Sequence, residues 1–201
     1  LPENTFVFCC FNNDYKFNPQ VLDGWSRILL AAKNSVLWIS ENNECFRVNI
    51  TIEFEKRGIH LSRIIFAQRV ELMADHLARY ILADLFLDTY PYNAHTTALD
   101  SLKACIPVLT LKGQSFASRV AASLLNAIGL PELITNTQEE YEALAIELAN
   151  NPQKLADIKL KLANNRLTTP LFDTPLFTKK IESAYIKMYE RYQADLQPDH
   201  I

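Results

Sequence analysis

The sequence predicts an α/β domain: a parallel sheet of about six strands with helices on both faces, continued by a helical C-terminal part. Three observations carry this. Short apolar runs alternate with segments of helical spacing through most of the chain. The runs are continuously apolar rather than alternating, as strands buried on both faces require. Beyond residue 136 the strand-like runs stop and helical spacing remains.

Taken in order, "TFVFCCF" (5–11) reads as the first strand. "NPQVLDGWSRILLAAK" (18–33) reads as a helix, with Asn18 as the cap and Pro19 at its first position, where the missing N–H costs nothing. "SVLWIS" (35–40) is a strand. Residues 44–57 read as a helix against the grain of Val48, Ile50, Thr51 and Ile52, whose branched side chains lose rotamer freedom in a helix. "RIIFAQ" (63–68) is a strand and "ELMADHLARYI" (71–81) a short helix. "DLFLDT" (84–89) is a strand, 95–105 a helix and "PVLTL" (107–111) a strand. "SFASRVAASLLNAIG" (115–129) is a helix closed by Gly129, and "ELIT" (132–135) is a short sixth strand.

The expected organisation is one unit over 1–201, with a sheet core over about 5–136 and a helical part over 137–201. "TQEEYEALAIELAN" (137–150) opens with the Thr137–Glu140 capping-box pattern. "PQKLADIKLKLANN" (152–165) and "PLFTKKIESAYIKMYERYQADL" (175–196) continue as helices. In the last, Ile181, Tyr185, Met188 and Tyr192 recur at helical spacing and read as a packing face.

Composition narrows the function. Hydrophobic residues make up 49% and charged residues 21% of 201 residues, enough for a sizeable core. The net charge is −3 and no Lys/Arg block stands out, which argues against a nucleic-acid or anionic-membrane partner. No apolar run reaches the ~20 residues of a membrane span. The start, "LPENTFVFCCFNN", lacks the basic region and cleavage site of a signal peptide. Cys9, Cys10, Cys45 and Cys105 form no CxxC site or disulfide framework. They read as small buried hydrophobes, with a reactive thiol as the alternative, and the expected compartment is the reducing cytoplasm.

Function is sought at the carboxyl ends of the strands, where open parallel sheets bind ligands. "NNDYK" (12–16) follows the first strand, "RVELMADHLAR" (69–79) the third and "YNAHTTALD" (92–100) the fourth. The third cluster has the chemistry of a phosphate site. A helix start offers unpaired N–H groups and positive potential, and His95, Thr96 and Thr97 would add donors. Asp100, one turn deeper, could accept from ribose hydroxyls, and Lys16 could supply a cation. The combination suggests a nucleoside diphosphate. A plain cap at Thr96, a solvated Asp100, and surface roles for Lys16, His76 and Arg79 remain open on local sequence alone. GxGxxG, GxxxxGK[ST] and DxD motifs are absent, and no Ser–His–Asp or Cys–His nucleophile is apparent.

Several longer stretches are more specific: "LADLFLDTYPYNAHTTALDSL", "FASRVAASLL", "PELIT", "TPLFDT" and the terminal "PDH". From Phe6 to His200 the chain resembles the C-terminal catalytic lobe of O-linked N-acetylglucosamine transferases, especially bacterial ones. The resemblance implies the Rossmann-like C-terminal lobe of a type B glycosyltransferase, with UDP-N-acetylglucosamine as donor and a protein Ser or Thr as acceptor. It implies a diphosphate contact and leaving-group role for Lys16, and phosphate binding by His95, Thr96 and Thr97. It implies a ribose contact for Asp100 and uracil contacts for His76, Arg79 and the backbone near Val70 and Glu71. Asn13 stands where the family has a glutamine, and Met73 where the animal enzymes have a lysine. No cofactor or metal is implied. The resemblance also implies that a second catalytic lobe and a tetratricopeptide array lie outside this sequence, that the fragment alone is inactive, and that Tyr185, Tyr189 and Tyr192 are partly exposed without that lobe. Alternatives from the wider family are asparagine-linked glucosylation and GDP-fucose-dependent O-fucosylation. Another is a non-catalytic interaction module that retains the fold.

Overall fold

The computed structural model describes residues 1–41 and 43–200. The strands are β1 (Phe6–Cys10), β2 (Ser35–Ser40), β3 (Ile64–Ala67), β4 (Leu85–Leu87), β5 (Val108–Leu111) and β6 (Ile134–Thr135). The helices are α1 (Pro19–Ala31), α2 (Glu44–Lys56), α3 (Met73–Arg79) and α4 (Thr96–Lys103), then α5 (Val120–Ala127), α6 (Gln138–Asn150), α7 (Pro152–Thr168) and α8 (Thr174–Gln193). Every strand pairing is parallel, in the order β3-β2-β1-β4-β5-β6. The chain reverses its direction of travel across the sheet between β1 and β4, which is the switch point where such sheets bind ligands.

Each strand sits where the apolar runs place it. β1 from Val7 onward, all of β4 and all of β5 are buried without alternation. Successive side chains point to opposite faces, so continuous burial means that both faces are covered. Cys9 and Cys10 are fully buried in β1 and serve as small apolar residues, whereas Cys45 is exposed and departs from that reading. The core includes the fully buried Phe8, Trp25, Phe54, Tyr80 and Phe86. Trp25 on α1 also donates through Nε1 to the Tyr141 hydroxyl on α6 at 3.3 Å, which ties the helical part to the sheet unit.

The caps follow the sequence. Asn18 accepts from the Val21 amide, and Thr137 and Glu140 close the capping box. Asn43 caps α2, and Ile50 and Phe54 bury into the core; that burial outweighs the modest propensity cost of the branched residues.

Several elements are shorter than their patterns, α5, β6 and β4 among them. Residues 115–119 stay outside α5 because Ser115 and Ser118 bond each other at 2.9 Å and the Ser118 hydroxyl bonds the Ser115 carbonyl at 3.0 Å, offering the backbone a rival to the helix. β6 is preceded by a tight turn over Pro131–Leu133. β4 ends at Leu87 because Asp88 and Thr89 turn inward.

α8 overturns the reading of its stripe as a packing face within this chain and bears out the exposure of Tyr185, Tyr189 and Tyr192 that the resemblance implied. Ile181, Tyr185, Met188 and Tyr192 are 36, 60, 51 and 74% exposed, and Tyr189 is 64% exposed. The apolar spacing of α8 therefore has no partner surface among the described residues. None of the helices is long and apolar enough to cross a membrane among those residues.

Gly129 ends α5 with φ +73°, and a Cβ there would stand 2.8 Å from Nδ2 of Asn165, which itself donates to the Ile128 carbonyl. Gly129→Ala is expected to destabilise the protein by roughly 1 kcal/mol or more, read as a lower urea midpoint at unchanged slope.

Candidate functional site

The ends of β1 and β4 converge at the switch point, and a buried carboxylate organises the meeting. Asp88 leaves β4 with 4% exposure. Its Oδ1 accepts from the Thr89 and Ala94 amides at 2.7 and 2.6 Å, and its Oδ2 accepts from the Thr110 hydroxyl at 2.6 Å. The loop from Thr89 to Ala94 is thereby closed on itself. Asn93 is locked by its amide donating to the Thr89 carbonyl at 2.8 Å. The Asn93 carbonyl then accepts from Nζ of Lys16 at 2.8 Å.

Lys16 stands in a tight turn (Asp14–Lys16) after β1 and is only 9% exposed. Asn12, between them, donates to Thr89 Oγ1 at 2.8 Å and accepts from the Thr97 hydroxyl. The Thr97 hydroxyl therefore has a partner within the protein, while Thr97 itself lines the cavity at the α4 start. Thr97 retains its backbone amide for a ligand.

α4 opens into this space. Leu99 is the first amide to bond back, to the His95 carbonyl at 3.1 Å, so the amides of Thr96, Thr97 and Ala98 have no partner within the helix. The longer helices α1, α2, α6, α7 and α8 all start with a side-chain cap, whereas α4, like the short α3 and α5, does not. The open amides, the macrodipole and Lys16 set positive potential around one cavity of about 240 Å³. Its walls bring together Asn13, Lys16, His95, Thr96 and Thr97 from the sequence-predicted set, with Phe11, Asn12, Tyr15 and Tyr92 added.

A second cavity of about 540 Å³ extends over the ends of β2 and β3. It is walled by Val70, Glu71, His76 and Arg79 as expected, and also by Met73, Ser40 and Glu41. Phe11 and Asn13 line both cavities, so the two are adjoining parts of one cleft. Arg79 donates to the Gln68 carbonyl at 3.0 Å and lies over the Phe11 ring, which fixes its planar head at the cavity wall. Asp100 lines neither cavity; its Oδ2 is 3.7 Å from Nε2 of His76, which walls the second.

The electrostatics favour an anion. Burial and Lys16 lower the pKa of His95, and burial and Arg79 lower that of His76. Both rings are neutral near pH 7 and can serve as hydrogen-bond partners. Nε2 of His95 is buried without a partner among the described residues. Burial raises the pKa of Asp100, with His76 and Lys103 opposing it. The cleft can therefore seat a diphosphate at the α4 start and a flat heterocycle beside Arg79.

Sequence reasoning passed over Phe11, Asn12, Glu41, Asp88 and Tyr92. Asn12, Asp88 and Tyr92 all lie within the stretches at the strand ends, but only their contacts across the sheet reveal their roles. Asp88 carries no local signal beyond an acid inside an apolar run.

A parallel sheet in this order, with its cleft at the switch point, is a Rossmann-like nucleotide-binding architecture, and the solved structures it matches give it the fold of a type B glycosyltransferase lobe. A Thermobaculum terrenum O-GlcNAc transferase superposes with TM-score 0.86 at 32% identity, over 94% of this chain and 38% of that one. A probable UDP-N-acetylglucosamine–peptide N-acetylglucosaminyltransferase from Arabidopsis thaliana is 39% identical over 100% of this chain, and its Caenorhabditis elegans counterpart 37% over the same span. Residues 1–181 match glycosyl transferase family 41, and the chain belongs to that family. It spans only 20% and 17% of the lengths of those two relatives.

Burial pushes the Asp88 carboxyl from 3.8 up to about 7, against the pull of its three donors and Lys16. Between those values the folded protein retains a proton that the unfolded chain has released. Stability should therefore fall as pH rises from about 4 to about 7. Asp88→Asn keeps an acceptor for the two amides, with Nδ2 donating to Thr110 Oγ1 in place of the reverse bond, and is expected to flatten that slope in thermal unfolding measured across the interval.

Proposed function

We propose that this chain is the donor-binding lobe of an enzyme that transfers N-acetylglucosamine from UDP-N-acetylglucosamine to Ser or Thr hydroxyls of proteins. The observation that carries the reading is the convergence of Lys16 and the open start of α4 on one cavity, continuous with a second cavity shaped for a base. The family relatives named for this activity support the choice of sugar and acceptor.

In this reading the uracil lies against Arg79 and His76, with its edge meeting the backbone at Val70 and Glu71. Asp100 and the neutral His76 hold the ribose hydroxyls. The diphosphate sits on the amides of Thr96 and Thr97, with the Thr96 hydroxyl, His95 and Asn13 around it. During transfer the acceptor oxygen bonds to the anomeric carbon, and the bond from that carbon to the β-phosphate oxygen breaks. The departing electron pair adds negative charge to the diphosphate. Lys16 and the α4 amides are already oriented toward that charge, so they stabilise it more than the ground state. Lys16 and the α4 amides fill the role a divalent metal would have, and the reading needs no metal.

The acceptor hydroxyl and its proton require a second lobe, which the greater length of the relatives accommodates. The exposed apolar residues of α8 suit contact with that lobe, and the fragment alone is expected to be inactive. Cytoplasmic residence follows from the same reading as a proposal.

Calorimetric titration with UDP and with GDP, without added metal, tests the donor assignment. UDP should bind selectively, and Asp100→Ala should weaken it by about tenfold, the scale of one lost hydrogen bond to a charged group. GDP-selective binding would move the chain to the fucosylating branch, and no binding by the intact protein would leave an interaction module. In the intact protein, Lys16→Ala should lower kcat by about 10²–10³-fold, and unchanged turnover would remove Lys16 from the chemistry.

A further inference from the structure

The Lys16 ammonium makes two contacts with consecutive residues of one loop. Nζ donates to the Asn93 carbonyl at 2.8 Å, and the same atom stands 4.1 Å from the centroid of the Tyr92 ring. No carboxylate pairs with Lys16 among the described residues. One polar contact on a four-carbon stem leaves an ammonium free to swing. A ring face supplies the second constraint, because its quadrupole attracts a cation and needs no hydrogen bond to do so.

The two contacts differ in rigidity. The loop backbone is fixed: Asp88 bonds its two ends, and the Tyr92 carbonyl accepts from the Thr89 hydroxyl at 2.7 Å. The Tyr92 ring is 40% exposed, and its hydroxyl makes no hydrogen bond among the described residues. It rests instead on Lys16, on the Tyr15 ring at 5.8 Å and on the His95 ring at 5.2 Å. Tyr92 walls the same cavity as Lys16 and the α4 start. Its polar end is thus idle, and the face of its ring is what the fold uses.

We propose that Tyr92 is a positioning residue for Lys16: its ring clamps the ammonium against the Asn93 carbonyl and leaves the remaining N–H donors facing the diphosphate cavity. The clamp also screens one side of the ammonium from water, which strengthens its field in the cavity. The catalytic consequence rests on the reading of Lys16 given above, whereas the clamp itself does not.

Two measurements on the intact protein keep those apart. The first is the rate at which limiting acetic anhydride acetylates Lys16, read by peptide mass spectrometry. Lys16 should react slowly in the wild type and in Tyr92→Phe, which keeps the ring, and several-fold faster in Tyr92→Leu. Equal rates in all three would overturn the clamp, whether or not the protein transfers sugar. The second is a double-mutant cycle on turnover. Tyr92→Leu should lower kcat by about tenfold, the scale of a partly desolvated cation–π contact, with KM for the donor changed much less. Tyr92→Phe should rescue most of that loss. In a Lys16→Ala background Tyr92→Leu should have no further effect. An equal loss in both backgrounds, or a Tyr92→Phe defect as large as that of Tyr92→Leu, would overturn the positioning role. Turnover indifferent to Lys16→Ala alone would instead sink the reading of Lys16 and leave the clamp to be decided by the labelling rates.

Discussion

A carboxylate buried at the end of β4 holds the cleft together. Asp88 collects two backbone amides and one hydroxyl, and its own carbonyl accepts from the Tyr141 hydroxyl at 2.9 Å. A buried acid with this many donors is costly to break, because removing any partner leaves a desolvated polar group. The loop it closes carries the Asn93 carbonyl and the Tyr92 ring to Lys16 and delivers the chain to the start of α4. Tyr141 links the same carboxyl end of β4 to α6 and, through Trp25, to α1. The helical part of the chain therefore buttresses the loop that forms the cleft.

The sheet order makes this convergence possible. β1 and β4 are neighbours, so the chain leaving each strand arrives at the same place from opposite sides of the switch point. Asn12 bridges them, holding Thr89 with one side of its amide and Thr97 with the other. A hydroxyl on the first turn of α4 is spent on that bridge, which keeps the helix start in register with the turn carrying Lys16.

The charges around the cleft favour an anion. Lys16 is nearly buried yet has no acidic partner to neutralise it, and the two histidines nearby are held neutral. The positive potential comes from one lysine and a set of backbone dipoles, which the fold fixes before any ligand arrives. Hydrogen bonds from Arg79 to backbone and from Asn93 to its own loop serve the same end, since they stiffen the walls of a cleft otherwise open to solvent.

Much of this was legible in the residues themselves. Apolar runs, Asn and Thr caps, Pro19 and Gly129 act over a few positions, so strands, helices and their ends could be read locally. The open helix start at His95–Thr97 was legible too, because unpaired amides are a property of any helix N-terminus. Tertiary structure decided what those groups meet. The contacts of Asn12 with Thr89, Lys16 with Asn93 and Thr97 with Asn12 join residues 77, 77 and 85 positions apart. No local pattern encodes such pairs; they exist only once β1 and β4 lie side by side. For the same reason the stripe on α8 looked like a packing face and proved exposed: periodicity shows that a helix has an apolar side, and only the assembled fold shows whether this chain supplies a surface to cover it.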